Sequence, residues 1–150
     1  MSTHQQQDIA RATTENIGFL LAKTSARWNE LLAQAFADRG YPEVRPAYGS
    51  VLLPLFEQDG RRMGELTRLA RQPKQTTTTL VRQMERDGLV RRTRDPADSR
   101  SWRIFLTERA AAFHPVAEEV LADLDARVAE HLTWRTAGVV RESLRCVMNL

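Results

Sequence analysis

The chain has 150 residues, of which 42% are hydrophobic and 27% are charged. This length suits one domain of ordinary size, and the hydrophobic fraction excludes a disordered chain. No segment approaches the roughly 20 apolar residues of a membrane span, and the Gln-rich N-terminus lacks the apolar core of an export signal. The one cysteine, Cys146, cannot form an internal disulfide and is expected to be buried and inert. We therefore expect a cytoplasmic protein without membrane contact.

The net charge of +3 is unevenly distributed along the chain. Residues 61–103 contain 12 basic and 5 acidic side chains, a net charge of +7, and the remainder carries a net charge of −4. A basic segment inside an acidic frame indicates an element that binds a polyanion such as nucleic acid. On charge alone, a solvated charged face is the alternative.

The first half of the chain shows two helical patterns. Apolar residues spaced by three and four predict a long helix from about residue 16 to residue 39, which Gly40 ends. Residues 1–15 form a polar extension outside this pattern. A second helix is expected to begin at Pro46, and Asp59-Gly60 marks the turn after it.

The middle of the chain contains shorter elements. Helices are predicted over 63–70 and 74–87, separated by Pro73. Strands are predicted over 89–92 and 102–106, on either side of a polar turn that contains Asp95-Pro96. Helix, tight turn, helix and β-hairpin is the order of a winged helix-turn-helix.

Two helices complete the pattern. Thr107 can cap a helix that reaches about residue 132, and Pro115 inside it should cause a kink or a broken first turn. Thr133 can cap the last helix. The predicted fold is mostly α with a small β-hairpin, a winged helix-turn-helix domain flanked by terminal helices.

The helix predicted over 74–87 carries the chemistry of base recognition. Its apolar face comprises Thr77, Leu80, Val81 and Met84, which are expected to pack against Leu66, Leu69 and the hairpin. Its opposite face has no carboxylate and consists of Gln75, Thr78, Thr79 and Arg82. Arg, Gln and Thr suit the donors, acceptors and methyl groups of base edges in a major groove. Lys74 and Thr76 lie at the helix N-terminus, where free N–H groups favour a phosphate. A Thr-rich face that only meets water is the alternative.

The predicted hairpin has an arginine-rich tip. Its arginines are Arg91, Arg92, Arg94, Arg100 and Arg103. An arginine at a hairpin tip can enter a narrow minor groove, and Arg94 and Arg100 are the candidates. We expect Asp98 to pair with Arg94 or Arg100 and hold the tip arginine extended. The alternative is that these arginines only solubilise a sheet edge.

Several motifs occur together in a fixed order. They are Gly64 to Ala70, Lys74 to Val81, Leu89 to Arg92, Asp95-Pro96-Ala97-Asp98-Ser99-Arg100 and Ile104 to Thr107. In this order and spacing the chain resembles the MarR family of bacterial regulators, from about residue 16 to the C-terminus.

The resemblance implies an architecture and a function. Members of this family are homodimers whose first and last helices interlock, here 16–45 and 108–150. The DNA-binding part would be 46–107, with the helix-turn-helix at about 63–87 and the wing at 89–106. The dimer would bind a pseudo-palindromic operator, usually as a repressor, and release it when a small, often phenolic, ligand binds. The family's wing aspartate and wing-tip arginine fall on Asp98 and Arg100.

The terminal helices support a dimer independently of the resemblance. Both leave apolar stripes that a twofold partner would bury: Ile17, Leu20 and Leu21 in the first helix, and Val139, Val140, Leu144 and Val147 in the last. A dimer would place two recognition helices about 34 Å apart, so the operator should be an inverted repeat in double-stranded DNA.

The site of the small molecule is less well defined by the sequence. Candidate contacts for an aromatic or anionic ligand are Phe19, Trp28, Tyr48, Phe113 and His114, with an ordinary core role as the alternative for each. No cofactor is indicated, and His4, His114 and His131 lack the spacing of a metal site.

An enzyme and a non-specific binding module are the two other classes of function to consider. The chain has no Gly-rich phosphate loop, nucleophile elbow or His/Cys cluster, so an enzyme is not expected. The remaining alternative is a winged-helix module that binds DNA non-specifically or contacts another protein, without a ligand response.

Overall fold

A computed structural model describes residues 3–150, apart from the side chains of Asp8, Ala10 and Ala12. The chain divides into two compact units that adjoin at Pro46 and Ala47. None of the helices within 3–150 is both long enough and apolar enough to span a membrane.

The first unit contains two helices, α1 (Thr3–Thr14) and α2 (Ile17–Asp38). Asn16 caps α2 because its side-chain oxygen accepts a hydrogen bond from Phe19 N at 2.9 Å. Gly40, at φ +88°, follows the helix end, as the sequence predicts. Helix α1 was not expected, since its polar residues show no apolar stripe by which a helix could be recognised.

The second unit begins with a 3-10 turn, Pro46–Tyr48, followed by α3 (Gly49–Glu57). The predicted α-helix therefore starts three residues after Pro46. Helices α4 (Met63–Ala70) and α5 (Lys74–Arg86) come next, with Arg71 in left-handed geometry between them. The fully buried core combines these elements with the strands and the helix that follow them in the chain. Its residues are Tyr48, Val51, Leu52, Leu55, Leu66, Val81, Met84, Leu89, Ile104 and Phe113.

The sheet has three antiparallel strands in the order β1-β3-β2. They are β1 (Arg61–Arg62), β2 (Val90–Asp95) and β3 (Asp98–Leu106). The hairpin strands extend further into the arginine-rich segment than predicted, because the turn occupies only Pro96 and Ala97. Strand β1 was missed, since two arginines give no strand pattern.

Gly60 sets the approach of β1 to the hairpin. Its φ is +72°, and a side chain there would place a Cβ 2.7 Å from the ring of Phe105. Only glycine meets both conditions without strain.

Helix α6 runs from Glu108 to Leu132. Thr107 caps it by accepting a hydrogen bond from Ala110 N, as predicted. Of the two outcomes expected at Pro115, the broken first turn is wrong, because the helix continues through the proline, and the kink stays a prediction. Pro115 and Ala111 are both exposed, so water can reach the carbonyl that the proline leaves without a donor.

Helix α7 (Trp134–Met148) follows the Thr133 cap and is joined to α6 by an ion pair between Arg141 and Asp125 at 2.6 Å. Cys146 is exposed, so its predicted burial is wrong. The apolar residues among which it was expected to be buried are themselves on the surface, at Leu144, Val147 and Met148.

Thr77 is fully buried in α5, and its hydroxyl has no hydrogen-bond partner among the described residues. We expect Thr77→Val to raise the free energy of unfolding by about 1 kcal/mol, because a methyl group replaces a buried hydroxyl that lacks a partner. Urea unfolding at fixed protein concentration measures this change. Thr79→Val, at an exposed position two residues further on, is the matched control and should give no gain. A loss of stability in the Thr77 variant would refute the prediction.

Candidate nucleic-acid interface

The two faces of α5 separate as the sequence predicts. Thr77, Val81 and Met84 are fully buried, and Leu80 is partly buried. On the opposite side Gln75, Thr79 and Arg82 are exposed, while Thr78 is half-buried with its hydroxyl donating to Lys74 O at 2.8 Å. A helix that binds in a DNA groove requires this arrangement: one face is buried in the protein, and the opposite face presents polar side chains to the bases.

The start of α5 suits an anion. Pro73 provides no capping side chain, and the first turn contains no acidic residue. Within the described part of the chain, the backbone N–H groups of Lys74 and Gln75 have no acceptor. Lys74 and Thr76 are exposed at this end. Free N–H groups beside a lysine favour a phosphate group.

An open groove of about 520 Å³ lies between α4, α5 and the hairpin. Its lining contains four cationic side chains and no carboxylate. The cations are Lys74, Arg82, Arg92 and Arg100. The remaining lining residues are Met63, Gly64, Thr67, Thr78, Ser101 and Trp102. The groove thus brings Lys74, Thr78, Arg82 and Arg100 of the predicted site together, and Arg92 and Trp102 are added to them.

Arg94 is held along the hairpin and is not part of the groove lining. Its guanidinium carbon lies 3.9 Å from the centre of the Trp102 ring, and its Nη1 donates to Ser99 O at 2.9 Å. Arg92 contacts the same indole at 4.9 Å and forms an ion pair with Glu85 of α5. Trp102 therefore supports two arginines by cation–π contact. Sequence reasoning missed it, because a tryptophan in a strand is typically a core residue.

Asp98 holds Arg100 through the backbone. Its carboxylate accepts hydrogen bonds from Arg100 N at 3.0 Å and from Ser101 Oγ at 3.2 Å. Asp98 was expected to pair with Arg94 or Arg100, and the contact that the structure shows is with the backbone amide of Arg100. The side chain of Arg100 stays exposed.

Asp95 is the buried carboxylate of the hairpin, with its side chain 1% exposed. The hydrogen bond from Ala97 N lowers the pKa of Asp95 below its ordinary value of 3.8; burial opposes this, and Arg62 and Arg103 lower it further. Sequence reasoning gave Asp95 only a turn-forming role. The two arginines reach it through the pairing of β1 and β2 with β3, for which no local pattern exists.

A depressed pKa predicts how stability depends on pH. The ionised Asp95 stabilises the folded state above pH 3.8, and this contribution is lost as the pH falls through the lower pKa of the folded protein. We therefore expect Asp95→Asn to be less stable than the parent chain at pH 7, with a difference that shrinks as the pH falls below 3.8. Urea unfolding of both proteins between pH 7 and pH 3 measures this. A difference independent of pH would contradict the assignment.

The candidate ligand contacts occupy different environments. In the first unit, Phe19 is 39% exposed and Trp28 is half-buried. In the second unit, Phe113 is buried and the ring of His114 stacks on Phe56 at 4.1 Å. Phe56 also contacts Phe113, with ring centres 6.4 Å apart, and was not among the predicted residues. The role of these residues in ligand binding stays a prediction.

Tyr48 is fully buried, and its hydroxyl donates to Asp87 at the end of α5 at 2.6 Å. We expect Tyr48→Phe to lower the free energy of unfolding by about 1–2 kcal/mol, because the ring still fills the core but a partly buried carboxylate loses a donor. Thermal and urea unfolding test this. Tyr41→Phe removes the same hydroxyl group from a buried tyrosine of the first unit and serves as the comparison. An unchanged midpoint for Tyr48→Phe would show that the bond contributes nothing to stability.

Metal binding has no candidate in this region. Across residues 3–150, no three His, Cys, Asp or Glu side chains gather as a metal site. The chemistry of the interface is therefore that of fixed cations, hydroxyls, an amide and free backbone N–H groups.

Comparison with known proteins agrees with this geometry. A sequence model of the MarR family matches residues 46–101, which include α3, α4, α5 and most of the hairpin. A search of curated protein sequences finds no match.

Solved structures share the fold over nearly the whole chain. The transcriptional repressor CouR, bound to a 23-mer DNA duplex, is 26% identical with a TM-score of 0.78, covering 91% of this chain and 95% of its own. A probable transcriptional regulator from Pseudomonas aeruginosa is 21% identical with a TM-score of 0.79, covering 90% and 98%. The PcaV transcriptional regulator from Streptomyces coelicolor, in complex with its natural ligand, is 19% identical with a TM-score of 0.76, covering 89% and 92%.

The helix-turn-helix and most of its wing therefore match the sequence model of the MarR family over residues 46–101, and solved structures of transcriptional regulators share the fold of nearly the whole chain.

Proposed function

We propose that this chain is a homodimeric repressor that binds an inverted-repeat operator and is released from it by a small ligand. In each protomer α5 would lie in the major groove, with Gln75, Thr78, Thr79 and Arg82 at base edges and Lys74 and Thr76 near phosphates. Arg100 would enter the adjacent minor groove, with Arg94 beside it.

The observation that carries the proposal is the groove of four cations beside the exposed face of α5. It places fixed positive charge at the start of the recognition helix and on the wing, with Arg82 and neutral polar groups on the outward face between them. Lys74 would bind phosphates, and Arg82 and the neutral polar groups would read the sequence. DNA-bound CouR, a transcriptional repressor of the same fold, supports this reading.

A second copy of the chain would cover the apolar stripes of the terminal helices. On α2, Ile17 is 70% exposed and Leu20 is 49% exposed. On α7, Val139 and Leu144 are 61% and 41% exposed. Exposed apolar stripes of this kind mark association surfaces. Analytical ultracentrifugation is expected to give a dimer, and a monomer at micromolar concentration would refute this part of the proposal.

Ligand release is supported by PcaV, a relative whose structure contains its natural ligand. The candidate contacts in this chain are Phe113 and His114, with Phe56 beside them, and Phe19, Trp28 and Tyr48 on sequence grounds. An aromatic anion such as benzoate, added to the DNA complex, should release the duplex in a saturable manner. Aliphatic acetate at the same ionic strength is the control.

The decisive experiment is fluorescence anisotropy with the DNA upstream of the chain's own gene against a scrambled duplex, at two salt concentrations. A preference of about 10³-fold or more that persists at about 150 mM salt is the expected result. Equal binding to both duplexes that disappears with salt would refute sequence-specific recognition. The alternative of a non-specific DNA-binding or protein-contact module would then be preferred.

A further inference from the structure

At the hairpin, an ionic cluster surrounds the buried carboxylate of Asp95, which is not part of the groove lining. Asp95 ends β2, where the register between β2 and β3 shifts. Its Oδ1 accepts a hydrogen bond from Ala97 N at 3.0 Å and lies 3.4 Å from Arg103 Nε, and its Oδ2 is paired with Arg62 Nε. A carboxylate is buried in this way only when positive partners compensate the cost of removing it from water.

The cluster connects the wing to the first helix of the helix-turn-helix. Arg62 is the residue immediately before α4, and Arg62 N lies 3.4 Å from Glu65 Oε1 in the first turn of that helix. Arg103 also reaches back to this segment, since its Nη1 donates to Gly60 O at 3.2 Å. The only strand pairing between this segment and the hairpin is the two-residue strand β1. Asp95 therefore adds an ionic link at a point where the backbone link is short.

We propose that Asp95 is a positioning residue that locks the wing to α4, so that Arg100 and the recognition helix α5 meet the DNA as one rigid surface. The inference rests on the proposed function and adds to it the residue that sets the wing's orientation. Asp95 does not line the groove; it lines a separate depression together with Arg103 and Phe105.

The direction in which Asp95→Asn changes DNA affinity distinguishes a positioning role of Asp95 from a long-range electrostatic effect of its charge. Removing a negative charge from a wing that faces phosphates should strengthen DNA binding if only long-range charge matters. If Asp95 positions the wing, removing its ionic link to Arg62 and Arg103 should weaken DNA binding instead. Asn keeps an oxygen for Ala97 N but leaves the guanidinium groups of Arg62 and Arg103 close together without a counter-charge, which should open the base of the wing.

The experiment compares Asp95→Asn, Arg100→Ala and the double variant with the parent chain. Asp125→Asn is the matched control, because it makes the same change in an Asp–Arg pair outside the DNA-binding part. Binding of the labelled upstream duplex is measured by anisotropy over a salt series. Hydrogen exchange of the wing amides, measured without DNA, shows whether the ionic link stabilises the wing independently of DNA binding.

Asp95→Asn should weaken binding about 3- to 30-fold, and by less than about twofold when Arg100 is already Ala, because the two residues act on one contact. The slope of log affinity against log salt should fall by about one, as in Arg100→Ala. Exchange of Ala97 and Arg100 amides should become about tenfold faster. Asp125→Asn should change none of these.

Unchanged wing exchange, unchanged or tighter DNA binding, or independent effects of Asp95→Asn and Arg100→Ala would each overturn the proposal. Faster wing exchange in a protein that never distinguishes the upstream duplex from the scrambled one would support the lock and refute the proposed function instead. If circular dichroism shows that Asp95→Asn does not fold, Arg62→Gln replaces it, because this substitution removes the other partner of the same ion pair. The expected result is the same faster hydrogen exchange of the wing amides.

Discussion

Arg82→Ala is expected to weaken binding to the operator by about 1–3 kcal/mol and to relax the base preference at one position of each half-site. Arg82 is exposed on the outward face of α5 and lines the cationic groove. A guanidinium can donate two hydrogen bonds to one guanine, and no other side chain on this face can replace both. Anisotropy titrations with the operator and with single-base variants measure the loss and where it falls.

Arg86→Ala is the matched control for this prediction. Arg86 lies one turn further along the same helix, outside the groove lining, with its side chain 68% exposed and its Nε 3.9 Å from Asp87. Both variants remove one positive charge, so a difference between them reports contact with the base. If Arg86→Ala weakens operator binding as much as Arg82→Ala does, the loss reflects net charge alone, and the assignment of Arg82 to a base contact is wrong. A salt slope reduced by about one in the Arg82 variant would indicate a phosphate contact instead.

Leu66→Ala should lower the free energy of unfolding by about 2–5 kcal/mol. Leu66 is fully buried on α4, where that helix packs against α3 and α5. Truncation would remove apolar contacts and leave a cavity beneath the helix-turn-helix, in a domain whose total stability is about 5–15 kcal/mol. Urea unfolding followed by circular dichroism measures the shift in midpoint. Protein concentration must be held constant, because dimerisation would add to stability.

Leu69→Ala provides the comparison on the same helix. Leu69 was expected beside Leu66 in the core, but it is 51% exposed. The same substitution there should cost less than about 0.5 kcal/mol. Equal losses at the two positions would mean that α4 does not pack through Leu66 as described. A Leu66 variant that keeps its stability but loses DNA binding would be equally contrary to the prediction.

The sequence was most informative where structure depends on local spacing. The two faces of α5, the cap residues Thr107 and Thr133, and the glycine stop after α2 each follow from residues close together in the chain. The winged order of elements could therefore be predicted, and the motifs that resemble the MarR family lie within it. The proposed DNA contacts on α5 depend on the same local pattern.

Features that depend on distant residues were missed or misjudged. Strand β1 was missed because its partner in β3 is about 40 residues away. Pro115 was expected to cause a kink or a broken first turn, and the helix is not broken there, since an exposed helix face can leave a carbonyl to water. Cys146 and Leu69 were placed in the core by their apolar neighbours, but the packing of the second unit leaves both exposed.

By itself the sequence determined the order of helices and strands, the basic character of the middle segment and the polar face of the recognition helix, because each is a property of neighbouring residues. Only the tertiary structure decided which cations share the groove, which arginines Trp102 supports and that Asp95 is buried between Arg62 and Arg103. The reason is that sheet pairing and helix packing join residues whose separation in the chain leaves no periodic trace.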